Sequence, residues 1–169
     1  MGMYGYLRQL TPSELQWFQE KPGTLVPFLA REFNAEPAGE SDFVSVDAQP
    51  VLELDKIWDV LHYLLNGTKP PVPPLGDAIQ GGEEIGDDMG YGPARFLAPE
   101  KVRAVAAALG KLSWDTLASR YNPEEARNHE VYIAGSKGVL EEARGAFGRL
   151  VRFYSDAASR DNAVLLYIV

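Results

Sequence analysis

The segment Ala163-Val164-Leu165-Leu166-Tyr167-Ile168-Val169 decides the fold class. It is apolar at every position, so it has no wet face. A run of this kind reads as a strand covered on both sides, inside a sheet and not at its edge. Asp161-Asn162 turns the chain into it. Before the turn, residues 137–159 carry Leu140, Ala143, Phe147, Leu150, Val151, Tyr154 and Ala158 at helical spacing. Ser136 is the expected N-cap of that helix. At the other end, residues 3–10 read as a strand, with aromatic and aliphatic residues about a glycine. The first and last strands are expected to pair. The expectation is α+β: a single compact domain over 1–169, mostly helical, with a small sheet that includes both terminal strands.

The elements between are read from caps and periodicity. Thr11, Pro12 and Glu14 form a capping box with proline at the first helical position. Leu15 and Phe18 give that helix an apolar side, and Leu25, Phe28 and Leu29 mark a second short helix. Residues 51–65 read as a central helix, because Leu54, Ile57, Trp58, Leu61 and Leu65 fall on one stripe. Gly67 stops it, and Pro70–Pro74 is a stiff connector. Pro99–Leu109 is a helix ended by Gly110, and Ser113 caps another that carries Trp114 and Leu117. Trp17, Trp58 and Trp114 are expected in the core. Residues 122–136 read as irregular, with Val131–Ile133 extended.

Two segments stand apart. Residues 34–50 read as a solvated acidic loop with Glu36, Glu40, Asp42 and Asp47. Residues 75–98 read as a Gly-rich acidic loop, with one helical turn over Leu75–Gln80 and a short strand over Arg95–Leu97. Six of the chain's 16 glycines crowd into this stretch, a sign of positive φ or close backbone approach.

Composition excludes several function classes. The 169 residues carry 16 Lys plus Arg against 24 Asp plus Glu, a net charge of −8. That balance argues against binding nucleic acid through its phosphates. No cysteine is present, so disulfides, thiolate metal sites and cysteine nucleophiles are excluded. No apolar stretch reaches the ~18–20 residues that cross a bilayer, and the N-terminus shows no signal peptide. A cytoplasmic protein with no membrane contact is expected. The glycine-rich segment lacks both the P-loop and the dinucleotide fingerprint. Glu83, Glu84, Asp87 and Asp88 do not follow the EF-hand spacing. No nucleophile motif is present, and no cofactor or metal is expected.

Two constellations carry possible chemistry. Asp55, Asp59 and His62 sit at i, i+4 and i+7 on the central helix 51–65 and form one column beside the Trp58 stripe. His62 is the candidate acid–base group, and the structural alternative is an Asp59–His62 hydrogen bond. Arg95 follows the rigid turn Gly90-Tyr91-Gly92-Pro93. It would clamp an anion with Tyr91 beside it, or else pair with Asp87 or Asp88 and lock the loop.

Met1-Gly2-Met3-Tyr4-Gly5-Tyr6, Leu54-Asp55-Lys56, Trp58, Leu61-His62-Tyr63-Leu64-Leu65, Gly67, Gly81-Gly82, Ile85-Gly86 and Gly90–Leu97 occur in that order. In these motifs the chain resembles the YfbM-like family of small bacterial proteins, a domain of unknown function. The resemblance covers most of the chain and is weakest in 34–50, a variable segment, and in 122–136. It implies one compact α+β domain in a bacterial cytoplasm, and it carries over no activity, cofactor or catalytic residue. It highlights Asp55, Trp58, His62, Tyr91 and Arg95.

The leading expectation is a non-enzymatic binding or interaction protein whose acidic surface meets a basic protein partner, as an inhibitor of a basic toxin or nuclease would. The alternative is a small-molecule-binding protein or enzyme, with a pocket between helix 51–65 and loop 86–97. A homo-oligomer joined through the 75–98 segment is a third form.

Overall fold

The computed structural model describes residues 2–34 and 49–169. Its last strand, β5 (Ala163–Ile168), is the middle strand of a five-stranded antiparallel sheet. On one side lies β1 (Gly5–Leu10), paired along its whole length with Gly5 opposite Ile168 and Leu10 opposite Ala163. Beyond it is β2 (Val51–Asp55). On the other side lie β4 (Pro93–Leu97) and then β3 (Glu83–Asp88), giving the order β2-β1-β5-β4-β3. The α+β reading and the pairing of the terminal strands are therefore both found.

The pleat sends alternate residues to opposite faces. Leu7, Leu52, Leu97, Val164 and Leu166 enter the larger core, closed by α3 (Trp58–Asn66), α5 (Pro99–Gly110) and α8 (Val139–Ser159). Leu10, Ala94, Phe96, Leu165 and Tyr167 enter a smaller core under α1 (Pro12–Glu20) and α2 (Leu25–Asn34). Helices cover both faces of β5, so it has no polar side. Thr11 caps α1 by accepting from the Glu14 amide at 3.1 Å. The Glu14 carboxylate is buried and meets the buried Arg8 guanidinium at 2.8 Å, joining α1 to the sheet.

The segment read as one helix over 51–65 is a strand followed by a helix. Val51–Asp55 alternates exposed and buried, with Leu52 and Leu54 inward. Leu54 fits the period of two and the period of 3.6 equally well, and so it joined the two elements. Asp55 takes φ +49°, a left-handed turn that Asp tolerates, and α3 starts only at Trp58. Gly67 ends α3 as expected. Trp58 packs flat on the N-terminal strand: a Cβ on Gly5 would lie 2.6 Å from the Trp58 Cβ, so only glycine fits there.

The Gly-rich acidic segment is not a loop. It contains α4 (Asp77–Gln80), the whole of β3, and β4, which begins two residues before the expected strand. β3 was hidden because it turns only Ile85 into the core and because its register breaks between Ile85 and Asp88, where Gly86 has φ +77°. Residues 122–136 also hold an unexpected helix, α7 (Pro123–Asn128), which follows the short α6 (Trp114–Ala118). Val131–Ile133 is a turn, not extended chain. α8 is capped by Gly138 in the left-handed conformation, not by Ser136. Trp58 is fully in the core, whereas Trp17 and Trp114 sit half-buried at its margins. The acidic segment 34–50 falls almost wholly outside the described residues. No helix among the described residues is long and apolar enough to cross a membrane.

Candidate functional site

The residues picked out on 51–65 do not form one column. Asp55 is exposed at the end of β2, on a different element from Asp59 and His62. Trp58 is buried and donates its indole N–H to the Met3 carbonyl at 3.2 Å. Asp59 does not serve His62 as its partner. Its carboxylate accepts from the Tyr132 amide at 2.8 Å and from Gln80 Nε2 at 3.3 Å. It thus fastens the turn after α7 and the end of α4 to α3, and burial pushes its carboxyl above the usual range. His62 is 8% exposed, and its Nδ1 has no hydrogen-bond partner. Burial lowers its pKa from 6.5 to about 4, so the ring is neutral near pH 7. A general base needs a reachable proton and a group to orient it. His62 offers neither in this arrangement.

Tyr91 and Arg95 are brought together. Pro93 and Arg95 are alternate residues of β4, and Tyr91 lies in the turn that joins β3 to it. They line a cleft of about 340 Å³ with Pro71, Ile79, Gln80, Leu166 and Ile168. Asp55, Trp58 and His62 lie outside its lining. The pocket expected between helix 51–65 and loop 86–97 is therefore bounded by α4 and the sheet instead. Tyr154 of α8 fixes α4 there, its buried hydroxyl donating to the Ala78 carbonyl at 2.7 Å.

The cleft lies beside the point where the β4–β5 ladder ends. Tyr4 and Val169 exchange backbone hydrogen bonds at 2.8 and 3.0 Å. By alternation, Tyr167 also turns its N–H and C=O toward β1, and Leu166 and Ile168 turn theirs toward β4. Leu166 finds Arg95. In continued register Ile168 would face Pro93, which has no N–H to give. The β4–β5 ladder stops at Arg95–Leu166, while the β1–β5 ladder continues to Ile168. Ile168 is left without a strand partner on the cleft side.

Arg95 stands at the boundary of this opening. Its Nη2 meets Glu84 Oε1 at 2.7 Å and its Nη1 donates to the Gly82 carbonyl at 3.3 Å. The partner is Glu84, directly across the hairpin, and not Asp87 or Asp88. Both side chains are substantially exposed, 40% for Arg95 and 58% for Glu84. Tyr91 is also exposed, at 47%. Gln80 and Ile168 were not picked out from the sequence. Nothing local marks them, since only the fold makes them neighbours.

A family model described as a domain of unknown function, DUF1877, matches residues 1–167. The chain belongs to this family. The crystal structure of YfbM from Escherichia coli, a protein of unknown function, is similar over 98% of this chain and 99% of that one, with 20% identity and a TM-score of 0.66. That likeness supports the α+β fold and the YfbM-like resemblance. No curated protein matches the chain.

Other features of this DUF1877 chain are occupied by structural bonds. A hollow of about 240 Å³ at the end of α3 is lined by Tyr63, Arg120 and Glu125. There the Tyr63 hydroxyl donates to Glu125 at 2.7 Å, Arg120 donates to the Leu64 carbonyl at 3.3 Å, and burial followed by Glu125 raises the Tyr63 pKa. An apolar hollow of about 300 Å³ lies under Tyr6, Val26, Leu29, Ala30, Met89 and Val169. Among the described residues, no group of three or more His, Asp or Glu is placed to hold a metal ion.

Proposed function

We propose that this chain is a non-enzymatic binding protein and that its binding element is the cleft between α4 and the end of the β4–β5 ladder. The observation that carries this reading is the cleft itself, with an exposed tyrosine and a half-exposed arginine in its lining beside Pro93. Small-molecule sites are typically concave and furnished with a few placed polar groups. Pro71, Pro93 and Ile168 supply apolar surface, and Arg95, Tyr91 and Gln80 supply the polar groups. Nothing in the cleft supports turnover, because no acid–base pair or nucleophile with its base lines it.

Amide chemical shifts under titration with a library of small amphipathic compounds test this reading. Binding moves the amides of Ala94, Arg95 and Ile168 together. A library that moves none of them, or moves only amides around α3 and α7, defeats it.

A basic protein partner is the second reading. It is favoured by Glu83, Glu84, Asp87 and Asp88, all exposed along β3. Such a partner would be steered by charge and would be lost on raising the salt. Edge strands need charge for another reason, to prevent pairing with other chains. The acidity of β3 therefore supports a partner less directly than the cleft supports a ligand.

A further inference from the structure

We infer that the cleft takes a small monocarboxylate with an apolar body, and that Glu84 occupies the carboxylate's place on Arg95 until the ligand displaces it. The inference rests on the cleft reading above and names its ligand class.

Among the residues lining the cleft, Arg95 is the one cation. A guanidinium has five N–H donors in a planar fork that matches a carboxylate. Here one donor goes to Glu84 and one to the Gly82 carbonyl, both toward β3 and away from the cleft. The Glu84 contact is a solvent-exposed ion pair, with Glu84 at 58% and Arg95 at 40% exposure. Pairs of this kind contribute little net stability, so exchanging one carboxylate for another is energetically easy. Glu84 can rotate into water when it is released. The cleft adds what Glu84 lacks, an apolar wall of Pro71, Pro93 and Ile168 beside the guanidinium. An incoming acid that fills this wall gains burial, which the internal carboxylate does not.

The charge of the ligand follows from the surroundings. Glu83, Glu84, Asp87 and Asp88 all lie on the strand next to Arg95. A single negative charge meets one guanidinium against this field, and a dianion meets net repulsion. Carboxylate is thus favoured over phosphate monoester.

The test titrates the full chain with 4-phenylbutyrate, its neutral amide 4-phenylbutyramide, and phenyl phosphate, followed by the amides of Ala94, Arg95 and Ile168. The carboxylate is expected to bind about tenfold tighter than the amide. Arg95→Gln removes that preference, weakening the acid more than the amide. Glu84→Gln tightens the carboxylate about three- to tenfold, because the internal competitor is gone, and does not alter the amide. Both substitutions are at exposed positions, so the fold persists. Equal binding of acid and amide overturns the inference, as does a preference that survives Arg95→Gln, a Glu84→Gln variant that binds the acid more weakly, or phenyl phosphate binding as tightly as the carboxylate. In each of these cases the amide still occupies the cleft and the cleft reading stands. If neither the acid nor the amide moves the three amides, the cleft reading falls as well.

Discussion

The polar residues that stood out in the sequence belong to two regions with opposite character. Around α3, Trp58, Asp59 and His62 are packed inside the larger core, and the bonds of Trp58 and Asp59 run to Met3, Tyr132 and Gln80. Around the start of β4, Tyr91 and Arg95 stand half in water next to a ladder that stops early. The first region holds distant parts of the chain together. The second leaves groups available. A polar residue on a helical stripe is thus as readily a structural bond as a candidate site.

Substitutions should separate the regions. The largest effect is expected at Trp58→Ala, which removes a buried indole and its bond to Met3. A loss of about 3–5 kcal/mol is expected, seen as a fall of roughly 6–20 °C in the unfolding midpoint. Ligand shifts in the cleft should persist below the new midpoint. If cleft binding disappears while the chain is still folded, the two regions are not separable.

The next effect is set by pH. The folded chain keeps the His62 ring neutral down to about pH 4, whereas the unfolded chain protonates it near 6.5. Between those values the unfolded state holds more protons, so stability falls as pH falls through this window. The full contribution is about 3 kcal/mol. Asp59 works the other way, since its raised pKa lets the folded state take up a proton first, and it offsets part of the loss at the acidic end. His62→Leu should flatten the stability curve between pH 6.5 and 4, measured by urea unfolding at several pH values. An unchanged slope would show that the ring is not held neutral.

Pro93→Val gives β4 the N–H it lacks opposite Ile168. The ladder should then extend by one step, raising stability by about 0.5–1.5 kcal/mol and slowing exchange of the Ile168 amide. Binding in the cleft should weaken as the strands close. Faster exchange at Ile168 would mean that Pro93 is not what holds the strands apart. The smallest effect is expected at Arg95→Gln. Loss of an exposed ion pair should change stability by about 0–1 kcal/mol, within reach only of careful denaturant titrations.

The sequence carried much of the fold and a part of the site. β1 and β5 were legible because aromatic and branched residues fill them. α1 was legible because its cap and stripe agree, and α5 and α8 were legible from their apolar stripes. β2 was misread because Leu54 satisfies two periodicities at once, and the break at Asp55 depends on a backbone angle that no neighbour announces. β3 was missed because an edge strand rich in Glu and Asp, broken at Gly86, looks like a solvated loop. α7 did carry a signal, Asn122-Pro123 with Glu125 behind it, and Asn122 does cap two amides there at 3.1 Å. In the candidate site, Arg95 was picked out from the turn that precedes it and Tyr91 from its place within that turn. Gln80 and Ile168 were not, because strand register places them, and register is a property of pairs.

The position of β5 also bears on how the molecule is made. The middle strand of the sheet is encoded after every other element. A nascent chain that has reached Asn162 holds β1 and β4 with no strand between them. Leu7 and Leu97 then line a gap that only Val164 and Leu166 can fill. Domains tend to fold as units while synthesis proceeds from the N-terminus. Here the unit is incomplete until Ala163–Ile168 has left the ribosome, and the final six-residue strand acts as a keystone set last. Until then the two flanks of the sheet have no strand to bury their facing apolar residues against.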